Sequence, residues 1–285
     1  MAKTNKPVRR GAKVPPTDSL LSLVNASGFA FQLAIEETVR STNLEQRHGW
    51  SVISREHGWN DGGTPRFVDL VLQLHGGRVY YLVVECKRPR GGEWVFLVPD
   101  PPAGRRAELR RHFRAQYLRK ENSTAGPQVV TSLYDFQLDP RSCESAFCTI
   151  RGTSEQDRPM LDRLCADLTR SADALLEQQS GVGGGFHPSQ SWVAIPVIIT
   201  TARLHVCRFD PGAVSLCDGL LPASAADWQE VPAVRYRKSF TAISTKDATT
   251  LNGLEKAAQR TVAIVTASHL VDWLESFQLE KASYA

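Results

Sequence analysis

The chain has 285 residues, 42% of them apolar and 22% charged, with a formal net charge of +4. That is the profile of an ordinary soluble globular protein, long enough to bury a real core as one large domain or two small ones. No stretch approaches the roughly 18 uninterrupted apolar residues of a membrane-spanning helix. The six cysteines have no paired C-x-x-C spacing on which a disulfide framework or a zinc site could stand.

Residues 1–16 carry Lys3, Lys6, Arg9, Arg10 and Lys13 with no acid and no apolar run. They read as a disordered basic arm and not as a secretory signal, so the expected location is cytoplasmic, with reduced thiols. From Asp18 to about Leu44 the pattern is helical, with Gly28 as a possible interruption; Phe31, Ile35 and Val39 form one stripe. His48 to Trp59 alternates as a strand. Residues 67–88 then make the clearest hairpin: Val68, Leu70 and Leu72 alternate, Gly76-Gly77 turns the chain, and Val79 to Cys86 is β-branched and aromatic. Trp94 to Val98 reads as a strand or as a surface that docks on a partner. Residues 105–120 read as a basic helix, with Leu109, Phe113 and Tyr117 on one side and Arg106, Arg110 and Arg114 beside them. A second helix is expected from Pro159 to about Gln179. Strands follow at Val193–Thr200, Leu204–Phe209, about Val234–Ile243 and Thr261–Ala267, and a short helix closes the pattern. This order predicts an α/β or α+β domain with a mixed sheet. Residues 17–285 form the single domain, with 89–155 as an insertion and 205–285 as an elaboration.

The hairpin carries the chemistry. A charge on strands otherwise made of Val, Leu and Tyr needs a reason, because burying a lone carboxylate costs several kcal/mol. Three such groups occur: Asp69 near the start of one strand, and Glu85 and Lys87 on one face at the end of the next. Opposed residues of an antiparallel pair share a constant index sum. A three-residue or bulged turn with His75 opposite Val79 sets Asp69 beside Glu85, whereas a strict two-residue turn sends them to opposite faces. The odd turn is expected. Two adjacent carboxylates repel, and a hard divalent ion, Mg²⁺ or Mn²⁺, is their natural occupant. A neighbouring Lys87 can orient or deprotonate a water or neutralise a phosphoryl oxygen, which together make a site for attack on a phosphodiester.

Phe67-Val68-Asp69-Leu70-Val71 and, fifteen residues after Asp69, Glu85-Cys86-Lys87-Arg88 resemble the PD-(D/E)XK, or restriction-endonuclease-like, nuclease superfamily. The family's proline stands immediately before the aspartate; here Val68 holds that place and Pro65 lies four residues before Asp69. The resemblance implies a restriction-endonuclease-like mixed sheet flanked by helices, a metal held by Asp69 and Glu85, and Lys87 assisting the water. It also implies a helix glutamate near the metal, and Ile35-Glu36-Glu37 looks like that element, its phase favouring Glu36 over Glu37. The implied activity is Mg²⁺-dependent hydrolysis of DNA in restriction or anti-phage defence. Alternatives are an effector nuclease activated by a partner, acting on DNA or RNA, and an inactive nucleic-acid-binding scaffold.

Local charge fits a polyanion partner: residues 88–120 hold nine basic side chains against three acidic ones on a chain otherwise net acidic outside the arm. Arg88, Arg90, Arg106, Arg110 and Arg114 are the expected nucleic-acid contacts, with DNA the favoured partner, no membrane, and a homodimer or activating protein as further possibilities. Residues 181–185 lack the Lys-Ser/Thr of a P-loop, the seven histidines show no ligand spacing, and no Ser or Cys nucleophile motif occurs.

Overall fold

The computed structural model describes residues 17–76, 78–89, 92–100, 112–123, 126–137, 142–150, 159–181, 191–240 and 259–277, with residues 112–123 and 126–137 described through their backbone. Two helices come first, α1 (Thr17–Ser27) and α2 (Phe29–Leu44), meeting at 64°. The break falls at Gly28, whose φ of 81° strains any residue with a side chain. Its carbonyl accepts from the N–H groups of Phe31 and Gln32 and so opens α2. Among the described residues no single helix is long and apolar enough to cross a membrane.

An antiparallel meander follows: β1 (Ser51–Asp61), β2 (Thr64–His75) and β3 (Val79–Lys87). Next come β4 (Glu93–Pro99), β5 (His112–Ser123), β6 (Gly126–Gln137), β7 (Cys143–Ser145) and β8 (Phe147–Ile150). After α3 (Pro159–Gly181) the chain forms β9 (Ser191–Thr200), β10 (Arg203–Phe209), β11 (Asp227–Val231), β12 (Ala233–Ser239) and β13 (Gln259–Thr266), then a short helix, Leu270–Glu275.

The main sheet runs β1-β2-β3-β9-β13-β12-β7, and a smaller one runs β11-β10-β4-β8. Strand β9 is the hub. It pairs in parallel with β3 from Trp192 to Thr200. Its other edge is shared: β5 pairs antiparallel with Ser191 to Ala194, and β13 in parallel with Val197 to Thr200. Pro196, which has no N–H to give, falls in the gap between those two partners. Strands β9 and β10 are adjacent in sequence but lie in different sheets, β10 pairing with β4 and β11.

Every residue of β9 is buried, as a central strand covered on both faces requires. Alternate residues feed two cores. Val83, Ala194 and Ile198 join Leu161, Leu168 and Leu175 of α3 together with Trp94 and Phe96 of β4. Leu82, Val84, Ile195 and Ile199 join Ile35 and Val39 of α2 and Trp273 of the last helix. The molecule is thus a mixed α/β protein with a large mixed sheet flanked by helices.

One expected element is overturned. Residues 112–120 are not helical: they lie in β5, paired along its length with β6 and, through Gln116–Arg119, with β9. Phe113, Ala115 and Tyr117 alternate with a strand's period, while Leu109, Phe113 and Tyr117 also recur with a helix's period, and a matching apolar strand follows after a short turn. Tertiary pairing decided between the two. Strands β12 and β13, read as part of an elaboration, extend the main sheet from β9, and β4 is a strand with Trp94 and Phe96 buried.

Candidate active site

The β2–β3 ladder runs from His75↔Val79 to Leu70↔Val84, so three residues separate the strands. This is the odd turn that brings Asp69 and Glu85 to one level. Gly77 itself lies outside the described residues. At Asp69 the regular ladder stops. Its side-chain Oδ2 accepts from the Cys86 N–H at 2.6 Å, which fixes the carboxylate against the end of β3. Its carbonyl accepts from Gln32 Nε2 of α2, at 2.9 Å.

Glu85 and Lys87 follow on one face, with Lys87 Nζ 2.6 Å from Glu85 Oε1. Both point toward the α3 side of the sheet: Glu85 lines a cavity of about 430 Å³ with Leu164, Asp167 and Leu168 of α3. Burial, then the charge of Glu85, pushes the Asp69 carboxyl up to about 6, against the Cys86 N–H and Lys87, which favour its ionised form; Glu56 adds a smaller upward push. Two oxygen donors that repel each other suit a hard divalent ion, and Asp69 and Glu85 fit such a group on that ground. Among the described residues no set of three His, Cys, Asp or Glu side chains converges as a ligand cluster. An ion there would have to complete its shell with water or substrate oxygens, as Mg²⁺ commonly does.

Glu36 lies elsewhere. The phase is as expected, since Glu36 is buried and Glu37 exposed. Its carboxylate, however, is taken by Arg55 Nε at 2.6 Å and Arg40 Nη2 at 2.7 Å. It sits on the α2 side of the sheet with Ile35 and Val39, opposite the face that carries Glu85 and Lys87. The helix residue that does reach the hairpin is Gln32, one turn earlier, which also donates to Glu56 Oε1 at 2.7 Å. Glu56 lies on β1 between Arg55↔Leu70 and His57↔Val68, at the level of Asp69, with φ 44°. A non-glycine residue there is strained backbone of the kind that gathers at functional sites.

Sequence reasoning passed over Gln32 and Glu56. The signal for Gln32 was present: Gln32, Ile35, Glu36 and Val39 form the inward stripe of α2, so two polar groups on it had to find partners. The left-handed turn at Glu56 has no comparable local signature. Also unforeseen is an ion-pair network binding the β1–β2 end to α3: Arg66 and Arg170 both reach Asp61 and Asp167.

Of the expected nucleic-acid contacts, Arg88 is exposed beside the site and donates to the Asn25 carbonyl of α1. Arg90, Arg106 and Arg110 lie outside the described residues, as does the side chain of Arg114, whose backbone belongs to β5. Comparison with known proteins found no matching family model, no matching curated protein and no matching solved structure.

Proposed function

We propose that this chain is a metal-dependent phosphodiesterase of the PD-(D/E)XK type on a restriction-endonuclease-like core, an endonuclease acting on DNA in restriction or anti-phage defence. The observation that supports this most is the meeting of Asp69, Glu85 and Lys87 at the end of the β2–β3 ladder. Asp69 and Glu85 would hold Mg²⁺ or Mn²⁺. When bound, such an ion supplies an acidified water and a positive centre for the phosphoryl oxygens.

The chain's own groups do the rest. The Cys86 N–H holds the Asp69 carboxylate in one rotamer, so little is left to organise when substrate arrives. The Lys87 ammonium, shared with Glu85 in the free protein, is placed to orient the attacking water, to exchange a proton with it, or to neutralise charge developing on the phosphate. Arg88 is placed to touch the strand that is cut.

The test is nicking of supercoiled plasmid by the full chain in Mg²⁺, Mn²⁺ and EDTA. Activity is expected with either ion and none in EDTA, and Asp69→Ala and Lys87→Ala should each lower it by about 100-fold or more. Cleavage in EDTA, or full activity in both variants, would overturn the assignment. A partner-activated effector nuclease is the second reading. Helix α1 favours it: none of its residues is buried, Leu20, Leu21, Leu23 and Val24 are exposed, and its Asn25 carbonyl receives Arg88 at the edge of the site.

A further inference from the structure

Beside Lys87 the sheet end and α3 enclose a second cavity, of about 700 Å³. Its floor is apolar, made by Leu164 backed by the buried Trp94 and Leu161. Its walls carry Arg66, Lys87, Arg88, Arg163 and Arg170 against a single carboxylate, Asp167. Lys87, Arg66 and Arg170 are already paired, but Arg88 and Arg163 pair with no carboxylate among the described residues. Arg66, Leu164 and Asp167 also line the cavity that holds Glu85, so one groove runs past the Asp69–Glu85–Lys87 centre. The Arg66–Asp167–Arg170–Asp61 network ties α3 to the strands and sets the width of that groove.

A cavity of this size takes a small-molecule-sized group and not a double helix. An apolar floor under a cationic rim matches the two halves of a nucleotide, a flat base and an anionic phosphate. A paired base keeps its face inside the stack and cannot offer it to Leu164, the partly exposed residue of that floor. We infer that the cleft receives one unpaired nucleotide next to the scissile phosphate, supplied by a single-stranded tail or by a base turned out of a duplex. This rests on the phosphodiesterase reading for the position of the cut, but not for binding.

The experiment is fluorescence anisotropy in EDTA with the full chain, so that no strand is cut. The probes are a labelled single strand, a blunt duplex of the same sequence, the duplex with a single-stranded tail, and the duplex with a central mismatch. The single strand and at least one of the modified duplexes should bind roughly tenfold tighter than the blunt duplex. A tight tailed duplex assigns the nucleotide to a tail, and a tight mismatched duplex assigns it to extrusion. Leu164→Trp should fill the cleft and remove the preference while sparing blunt-duplex binding. Met160→Trp, at an exposed position on the rim, should do the same without disturbing the core. Arg163→Ala should weaken single-strand binding. Equal affinity for all four probes, or a preference that survives both tryptophan variants, would overturn the inference. Since hydrolysis plays no part, a preference without plasmid nicking leaves the cleft standing and removes the self-sufficient nuclease in favour of the partner-activated one, whereas nicking without the preference removes the cleft and leaves the nuclease.

Discussion

A carboxylate almost sealed from solvent needs cations, and Glu36 has two of them in Arg40 and Arg55. Its place in the molecule is structural: it anchors α2 to β1. Glu36→Gln should therefore lower stability by about 1–3 kcal/mol in urea unfolding, because two guanidinium groups lose their charged acceptor, while Mg²⁺-dependent nicking persists. Loss of nicking at unchanged stability would return Glu36 to the proposed metal site. Asp173 on α3 is a second partly buried acid, with Oδ1 unpaired among the described residues. Burial, offset in part by Arg260 and reinforced by Glu177, pushes its carboxyl up to about 6 from 3.8. The folded state thus holds this proton more tightly than the unfolded chain. Stability from this group is full below about pH 4, falls as pH rises to about 6, and stays low above that. Asp173→Asn should add on the order of 2 kcal/mol at pH 8 and nothing at pH 4, measured by denaturation at the two pH values. At this scale Asp69, Glu85 and Lys87 were legible because a strand's period of two fixes their face and the turn's parity fixes their alignment. Gln32 and Glu56 were not, because their roles depend on how α2 and β1 meet the hairpin.

The α1–α2 break belongs to the element scale. A Cβ at Gly28 would meet nothing within 4 Å, so any cost of Gly28→Ala comes from its φ of 81° alone. That substitution should cost about 1 kcal/mol in thermal unfolding, and a neutral result would show that the bend relaxes. The helices and the hairpin could be read because each carries a single, unshared period. Strand β5 could not: Phe113 and Tyr117 satisfy both periods, and its partners β6 and β9 are what select the strand. The same ambiguity takes Arg114 off the expected basic helix, since its backbone belongs to β5, and the described arginines beside the site are those around α3.

At the scale of the whole molecule, the strand order lay beyond local pattern, since β9's three partners are distant in sequence and no period announces them. Ile198, fully buried and feeding the α3-side core from β9, tests how far the sheet acts as a unit: Ile198→Ala should cost about 2–5 kcal/mol and move the whole unfolding transition together. Separate transitions by fluorescence and circular dichroism would show instead that the two sides melt independently. The placement of Pro196 has a further consequence during folding. Strand β9 cannot dock until distant segments have found it, and such non-local pairing is slow. Until then Ser191–Thr200 is a bare, uncharged, β-prone ribbon of the kind that recruits other copies of itself. A proline in its middle interrupts that self-templating, and in the native sheet it occupies the gap where β5 has ended and β13 has not begun. Pro196→Val should reach the same folded sheet yet scatter more light on refolding from urea; equal scattering would show that the residue serves the native edge alone.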